Sequence, residues 1–338
     1  METTLRPLTL GEILDRTAEL YRGNFLLFAG ISAVYAGIFL VLNLIQIGVE
    51  ETARSMHVGT TAVVITGILL LLPVAFVAGG LAVAANTRAV GWVHLGEPAG
   101  ISAAYRAILP RTWRYVWLMT ITYFRAWFPF ALLYGSYAAL LFAYVRPMGL
   151  LTPHPATRAT PEEMQAMLIF GLASIAFVVL ALVAFVYGVI MSLRYSLAVP
   201  ACTVENLTAR AAIKRSIALS KGSRGRVFVL LLLVVCVQLL LVGLTQGFFV
   251  VVGLKHQGVI PVWMRVVQQF LAFLTNTFIQ PIYATGFTLF YYDQRIRKEG
   301  YDIERMMQTA GMTQIPAPVA ASEISEPAPT LESGSVHE

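Results

Sequence analysis

Apolar residues run along this chain in long blocks, separated by short segments that are basic and periodic. Runs without a formal charge cover 23–49, 55–87, 164–193, 227–254 and 266–292, and a sixth run, 115–145, is interrupted by Arg125 alone. A bilayer core about 30 Å thick takes roughly 20 apolar residues of helix, and backbone groups in hydrocarbon must be satisfied within their own segment. The pattern therefore predicts six transmembrane helices over about 25–48, 61–86, 116–145, 166–193, 227–253 and 266–292.

The segments between the blocks have helical periodicity of a different kind. In TLGEILDRTAELYRGNF, Leu10, Ile13, Leu14, Ala18 and Tyr21 share one helical face, and Glu12, Asp15, Arg16, Glu19 and Arg22 share the other. Thr9 followed three residues later by Glu12 fits a capping box. In GISAAYRAILPRTWR the apolar stripe is Ile101, Ala104, Tyr105, Ile108 and Leu109, and Pro110 breaks it. In LTARAAIKRSIALSKGSRGR it is Ala209, Ala212, Ile213, Ser216 and Ile217, with Gly222 and Gly225 at the break. Each unit is an amphipathic helix, a break, basic residues and then an outgoing span. The expected fold class is all-α: a polytopic membrane protein of six transmembrane helices in three hairpins, each preceded by a cytoplasmic amphipathic helix. Such helices lie in the interface with the apolar face at the acyl boundary.

Composition agrees with a membrane protein and sets its orientation. Of the 338 residues, 57% are apolar and 12% charged, and the mean hydropathy is +0.72; soluble domains carry roughly 25% charge. A soluble enzyme and a disordered chain are excluded. A disulfide scaffold is excluded too, since only Cys202 and Cys236 are present. Of the 24 Lys and Arg residues, 18 fall on the side of the amphipathic helices, five on the other, and Arg125 within a span. Basic residues in short loops mark the cytoplasmic face, so both termini are expected there, in a bacterial inner membrane. The net charge of +6 is then a topology signal and not a nucleic-acid footprint. No cleaved signal peptide is expected, because the first apolar run is longer than an h-region of about 7–15 residues. The membrane domain is expected to occupy 1–308. The Pro-, Ala-, Ser- and Glu-rich stretch 309–338 is expected to be a disordered cytoplasmic tail.

Three phrases carry a family resemblance: the opening LRPLTLGEILDRTAELYRGNF, the middle RYSLAVPACTVENLTARAAIKRSIALSKG and the closing YYDQRIRKEGYDIE. With them the chain resembles bacterial integral membrane proteins of the glycerophosphoryl diester phosphodiesterase membrane domain family, in its stand-alone form without the catalytic domain. The resemblance implies a fold and a membrane location. The catalytic domain of the fused members is a TIM barrel of at least about 200 residues, whereas the longest stretch outside the predicted spans, 293–338, has 46. No catalytic residue carries over. HExxH, GxxxxGK[ST] and GxSxG are absent from the sequence, so the expectation is a non-enzymatic protein with no cofactor.

The remaining candidates are polar residues in apolar surroundings. Arg125 lies about 16 Å along a helix from the basic cluster that ends at Arg114, and a charge at that depth is a functional hypothesis. Gln238, Gln246, Gln268, Gln269, Asn276 and Gln280 gather in the last two spans; amides there either line a hydrophilic path or bond between helices. Gly243 and Gly247 form a GxxxG, which permits close helix contact. His57, His154 and His256 fall in three external loops without the spacing of a zinc site, so no metal is expected. His94, Glu97 and Glu205 read as solvated loop residues.

The densest basic cluster is Arg210, Lys214, Arg215, Lys221, Arg224 and Arg226, with no acid between them. It is expected to hold a cytoplasmic collar against anionic membrane lipid, or against a protein partner at that face. The functional expectation is a membrane scaffold or assembly factor acting through this collar. The alternative is a small permease or channel component using the intramembrane amides and Arg125.

Overall fold

The computed structural model describes residues 6–57, 60–140, 161–255 and 260–309, and all secondary structure among them is helical. The short helices are α1 (Leu10–Gly23), α4 (Ile101–Ile108), α7 (Ala198–Val204), α8 (Ala209–Ser220) and α11 (Tyr301–Thr309). The long ones are α2 (Phe25–Ser55), α3 (Thr60–His94), α5 (Thr112–Leu140), α6 (Pro161–Tyr195), α9 (Arg224–Lys255) and α10 (Val262–Glu299). The end of the predicted span 116–145 and the predicted tail beyond Thr309 lie outside the described residues.

Five segments are long and apolar enough to cross a membrane: Phe25–Ser55, Val63–His94, Ile101–Leu140, Met167–Val204 and Arg224–Lys255. Their apolar side chains face outward: Leu69, Leu172 and Leu239 are each about two-thirds exposed. A water-soluble helix would bury that surface. The predicted span 266–292 falls within α10, the longest helix at 38 residues. It does not reach the apolarity of the other five, because Gln268, Gln269, Asn276 and Gln280 interrupt its apolar run. Its surroundings account for this: α10 packs on α2, α9, α3 and α1, so it needs less lipid-facing surface than a peripheral helix. The α2–α10 contact is the most extensive in the protein, and α5 and α6 pair at the edge of the bundle.

The short helices form a collar at one end of this bundle, and the buried core lies there. In α1, Thr9 Oγ1 accepts the Glu12 N–H at 3.3 Å and Glu12 accepts the Thr9 N–H at 2.7 Å. This is the predicted capping box. The Thr9 N–H and then the Arg6 guanidinium hold the Glu12 carboxyl well below its ordinary range, at about 2. One core cluster joins Ile13 and Leu20 of α1 to Leu219 of α8 and to Phe287, Phe290, Tyr291 and Tyr292 of α10. The other joins Ala104 and Ile108 of α4, Ala212 and Ile213 of α8, Phe28 and Ile31 of α2, and Tyr115 and Leu118 of α5. The expected placement of these apolar faces at an acyl boundary is thereby corrected. The stripes hold in part: Ile13, Ala104, Ile108, Ala212 and Ile213 are buried in the protein's own core, whereas Ala18, Ile101 and Leu109 are exposed and Leu20 is buried in α1 instead. Three stripes facing one another remove more apolar surface from water than three faces lying flat on a headgroup layer.

Candidate functional site: a polar chamber beneath an ion-paired collar

Besides the ion pairs of Arg265 with Glu50 and Glu51 at the far end of the bundle, two parts of the described structure gather polar side chains, and they differ in whether those side chains are already satisfied. The first is the collar. The Asp293 side chain is fully enclosed. It accepts the Leu8 N–H at 2.8 Å and pairs with Arg226 at 3.2 Å and Arg297 at 3.0 Å. The same two arginines donate to the Leu8 carbonyl, at 2.8 and 2.6 Å. The opening of the chain is thus bound to the end of α10.

A second knot surrounds Glu205. It accepts the Tyr291 hydroxyl at 2.5 Å and Arg215 Nε at 2.9 Å. Arg215 also pairs with Glu299, and Arg295 reaches Glu299 at 3.3 Å while its guanidinium lies 4.0 Å from the centre of the Tyr301 ring. Burial alone would raise the Glu299 carboxyl; its bonds from Arg215 and Arg295 outweigh that and hold it below its usual range. The bond from Glu299, together with that from Glu205, raises the Arg215 guanidinium. Lys298 Nζ caps the end of α8 through the carbonyls of Ala218, Leu219 and Lys221 at 2.7–3.0 Å, where a cation opposes the helix dipole. Ser216 donates to the Arg194 carbonyl at 2.8 Å and accepts the Leu197 N–H at 3.1 Å, which fastens the α6–α7 break to α8.

These bonds revise the basic cluster. Arg215 and Arg226 are members of ion-pair knots, whereas Arg210, Lys214, Lys221 and Arg224 are exposed. The absence of acids between the six in sequence hid partners from distant segments. Glu205 and His94 are corrected as well: Glu205 is an ion-pair centre, and His94 is buried with its ring 5.1 Å from that of Tyr292. The opening, middle and closing phrases of the family resemblance meet here, through Leu8, Glu205 with Arg215, and Tyr291 with Asp293.

The second polar part is an open chamber of about 510 Å3 lined by α2, α3, α5, α9 and α10. Its polar lining is Tyr35, Tyr123, Gln238, Asn276, Gln280 and Tyr283, and no charged residue lines it among the described residues. These positions lie about 15–35 Å from the collar ends of their helices at 1.5 Å per residue. Asn276, Gln280 and Tyr283 stand at i, i+4 and i+7 on one face of α10. Gln280 Nε2 donates to the Gly79 carbonyl at 3.3 Å, while its Oε1 is buried without a partner among the described residues. Asn276 donates to the Ala272 carbonyl of its own helix at 2.9 Å. Gln238 and the hydroxyls of Tyr35, Tyr123 and Tyr283 make no hydrogen bond among the described residues.

Glycine and proline shape the walls. A Cβ on Gly79 would stand 3.3 Å from the Tyr35 ring, and one on Gly80 3.3 Å from Met119. Those two glycines let α2 and α5 approach α3 at the chamber. Pro281 lies inside α10 next to Gln280 and supplies no N–H for the carbonyl of Thr277. A smaller crevice of about 120 Å3 adjoins the chamber, sharing Val83, Met119, Tyr123 and Tyr283, and continues past Trp127 to Ser192 and Ser196 beside the α6–α7 break.

The chamber unites three of the five intramembrane candidates, Gln238, Asn276 and Gln280, and leaves out the other two. Gln246 accepts from Gln268 at 2.8 Å and so joins α9 to α10. Arg125 is exposed on the outer side of α5, apart from the chamber lining. The three tyrosines were not among the sequence candidates. The i, i+4, i+7 spacing on α10 was a signal for Tyr283; nothing in the sequence tied Tyr35 or Tyr123 to it.

No protein-family model matches the chain, and neither a curated protein nor a solved structure matches it.

Proposed function

We propose that this is a non-enzymatic protein of the bacterial inner membrane, with six spans in three hairpins, α2–α3, α5–α6 and α9–α10. The collar and both termini lie on the cytoplasmic side. The chamber receives a small uncharged molecule at mid-bilayer depth, which makes the protein a small permease or the substrate-holding component of one. The observation that carries this reading is the gathering of six polar side chains around one cavity in an otherwise apolar bundle, four of them without a hydrogen bond among the described residues. Hydrocarbon offers such groups no partner, so they fit a site that is completed by a guest.

The basic side of the bundle supports the orientation through the charge rule, and the three sequence phrases alone support membership of the glycerophosphoryl diester phosphodiesterase membrane domain family. A second reading rests on a separate observation. Arg210, Lys214, Lys221 and Arg224 remain exposed on the collar and provide a surface for anionic lipid or a protein partner. In that reading the protein is a membrane scaffold.

Accessibility separates the two. With Cys202 and Cys236 replaced, a cysteine at Gln238 should react with a small membrane-permeant thiol reagent, whereas one at Leu239, on the lipid-facing side of α9, should not. Equal inertness at both positions would show a chamber closed to water and would leave the scaffold reading.

A further inference from the structure

The lining of the chamber specifies its guest more narrowly than "small and uncharged". We infer that the site binds a neutral amphiphile taken from the bilayer, with a head that carries at least one hydroxyl or amide N–H and an apolar tail. The inference rests on the chamber being a ligand site, as proposed above.

Three features support it. First, no Asp, Glu, Lys, Arg or His lines the chamber. An ionised head would lose its hydration with no counter-charge to replace it, which is costly at this depth. Second, the free groups call for a hydrogen-bonding head. The Tyr35, Tyr123 and Tyr283 hydroxyls and the Gln238 amide both donate and accept, so a hydroxyl or an amide on the guest can bond to any of these four.

Third, the lining is of mixed polarity. Leu72, Phe76, Val83, Met119, Val234 and Ile279 stand beside the amides and phenols, and Leu72 and Tyr123 are 61% and 55% exposed. A water-soluble polyol would have no use for the apolar lining. An amphiphile uses both kinds of residue, its head on the hydroxyls and amides and its tail along the apolar side chains. The volume of about 510 Å3 falls within the range of small-molecule sites, about 300–1,000 Å3.

A matched series tests the class. The full-length protein in nanodiscs is titrated with N-oleoylethanolamide, oleate, oleylamine and N-acetylethanolamine while thermal unfolding is followed. N-oleoylethanolamide should raise the midpoint in a saturable way, with the anionic, cationic and tail-less compounds giving no saturable shift. Two variants localise the effect: Ala75→Trp, which fills the chamber, should abolish the shift, and Gln238→Leu should weaken binding about tenfold or more. Since Ala75→Trp alone could disturb folding, Leu239→Trp on the lipid face serves as its control and should bind as the parent does.

Equal shifts with all three oleoyl compounds, or a shift that survives Ala75→Trp, would overturn the inference. Binding of N-acetylethanolamine as tight as that of its oleoyl counterpart would also overturn it, while leaving the permease reading intact. Conversely, binding of N-oleoylethanolamide with an inert cysteine at Gln238 would uphold the amphiphile site and defeat the water-connected permease.

Discussion

Asp293 shows how much one side chain in the collar carries. Its carboxylate is enclosed, yet it faces two guanidinium groups and the backbone N–H of Leu8, 285 residues earlier. Desolvating a carboxylate is expensive, and removing one partner of a buried pair costs more than the pair contributes, about 3–5 kcal/mol. Asp293→Ala should therefore lower stability in detergent by about 3 kcal/mol or more and expose the chain near Leu8 to protease. Unfolding followed in the presence and absence of protease measures both effects. A loss below about 1 kcal/mol would mean that Arg226 and Arg297 find other partners. Arg125 is the opposite case: equally polar in sequence, it stands exposed on α5, where a long side chain can bring its charge toward the interface.

Helix contacts depend on which glycines actually meet a neighbour. The GxxxG of Gly243 and Gly247, which would permit close contact, has nothing within 4 Å of either added Cβ among the described residues. The tight approach is at Gly188 of α6, where a Cβ would stand 3.1 Å from the Ala126 carbonyl oxygen and 3.2 Å from the Trp127 ring of α5. The obstacle includes backbone, which cannot rotate away. Gly188→Leu should push α5 from α6 and destabilise the protein by about 1–3 kcal/mol, the usual cost of overpacking. Gly243→Leu should be neutral or slightly stabilising, since a helical glycine costs up to about 1 kcal/mol against a better helix former. Thermal melts of the two variants make the comparison, and a neutral Gly188→Leu would place the α5–α6 contact elsewhere.

At the scale of the whole molecule, the chain closes on itself: α1 and α2 pack on α10, hydrogen bonds of the Leu8 backbone tie the opening segment to the end of α10, and the Arg215–Glu205 ion pair ties α8 to the end of α7. The proposed orientation puts Lys214 of the collar and Ser55 at the far end of α2 on opposite sides of the membrane. Cysteines at these positions, in a protein lacking Cys202 and Cys236, should label from opposite faces of sealed vesicles. Labelling of both from one face would defeat the orientation.

Local pattern determined much of this protein. Long apolar runs make membrane helices wherever they stand, because the backbone must satisfy itself in hydrocarbon. The capping box at Thr9 and Glu12 and the breaks at Pro110 and Gly222 act within a few residues, and all of them were legible. So were the amides of α10, and Asn276, Gln280 and Tyr283 at i, i+4 and i+7 form one stripe whatever the neighbours are. What faces that stripe was decided only by the tertiary structure. Tyr35 and Tyr123 reach the chamber because glycines on α3 let α2 and α5 approach, which is a property of three helices at once. Likewise the six basic residues from Arg210 to Arg226 look alike in sequence, and only folding separates Arg215 and Arg226, which meet acids from distant segments, from the four that stay exposed. Ion pairing and cavity lining depend on distances through space, and those are fixed only when the helices have packed.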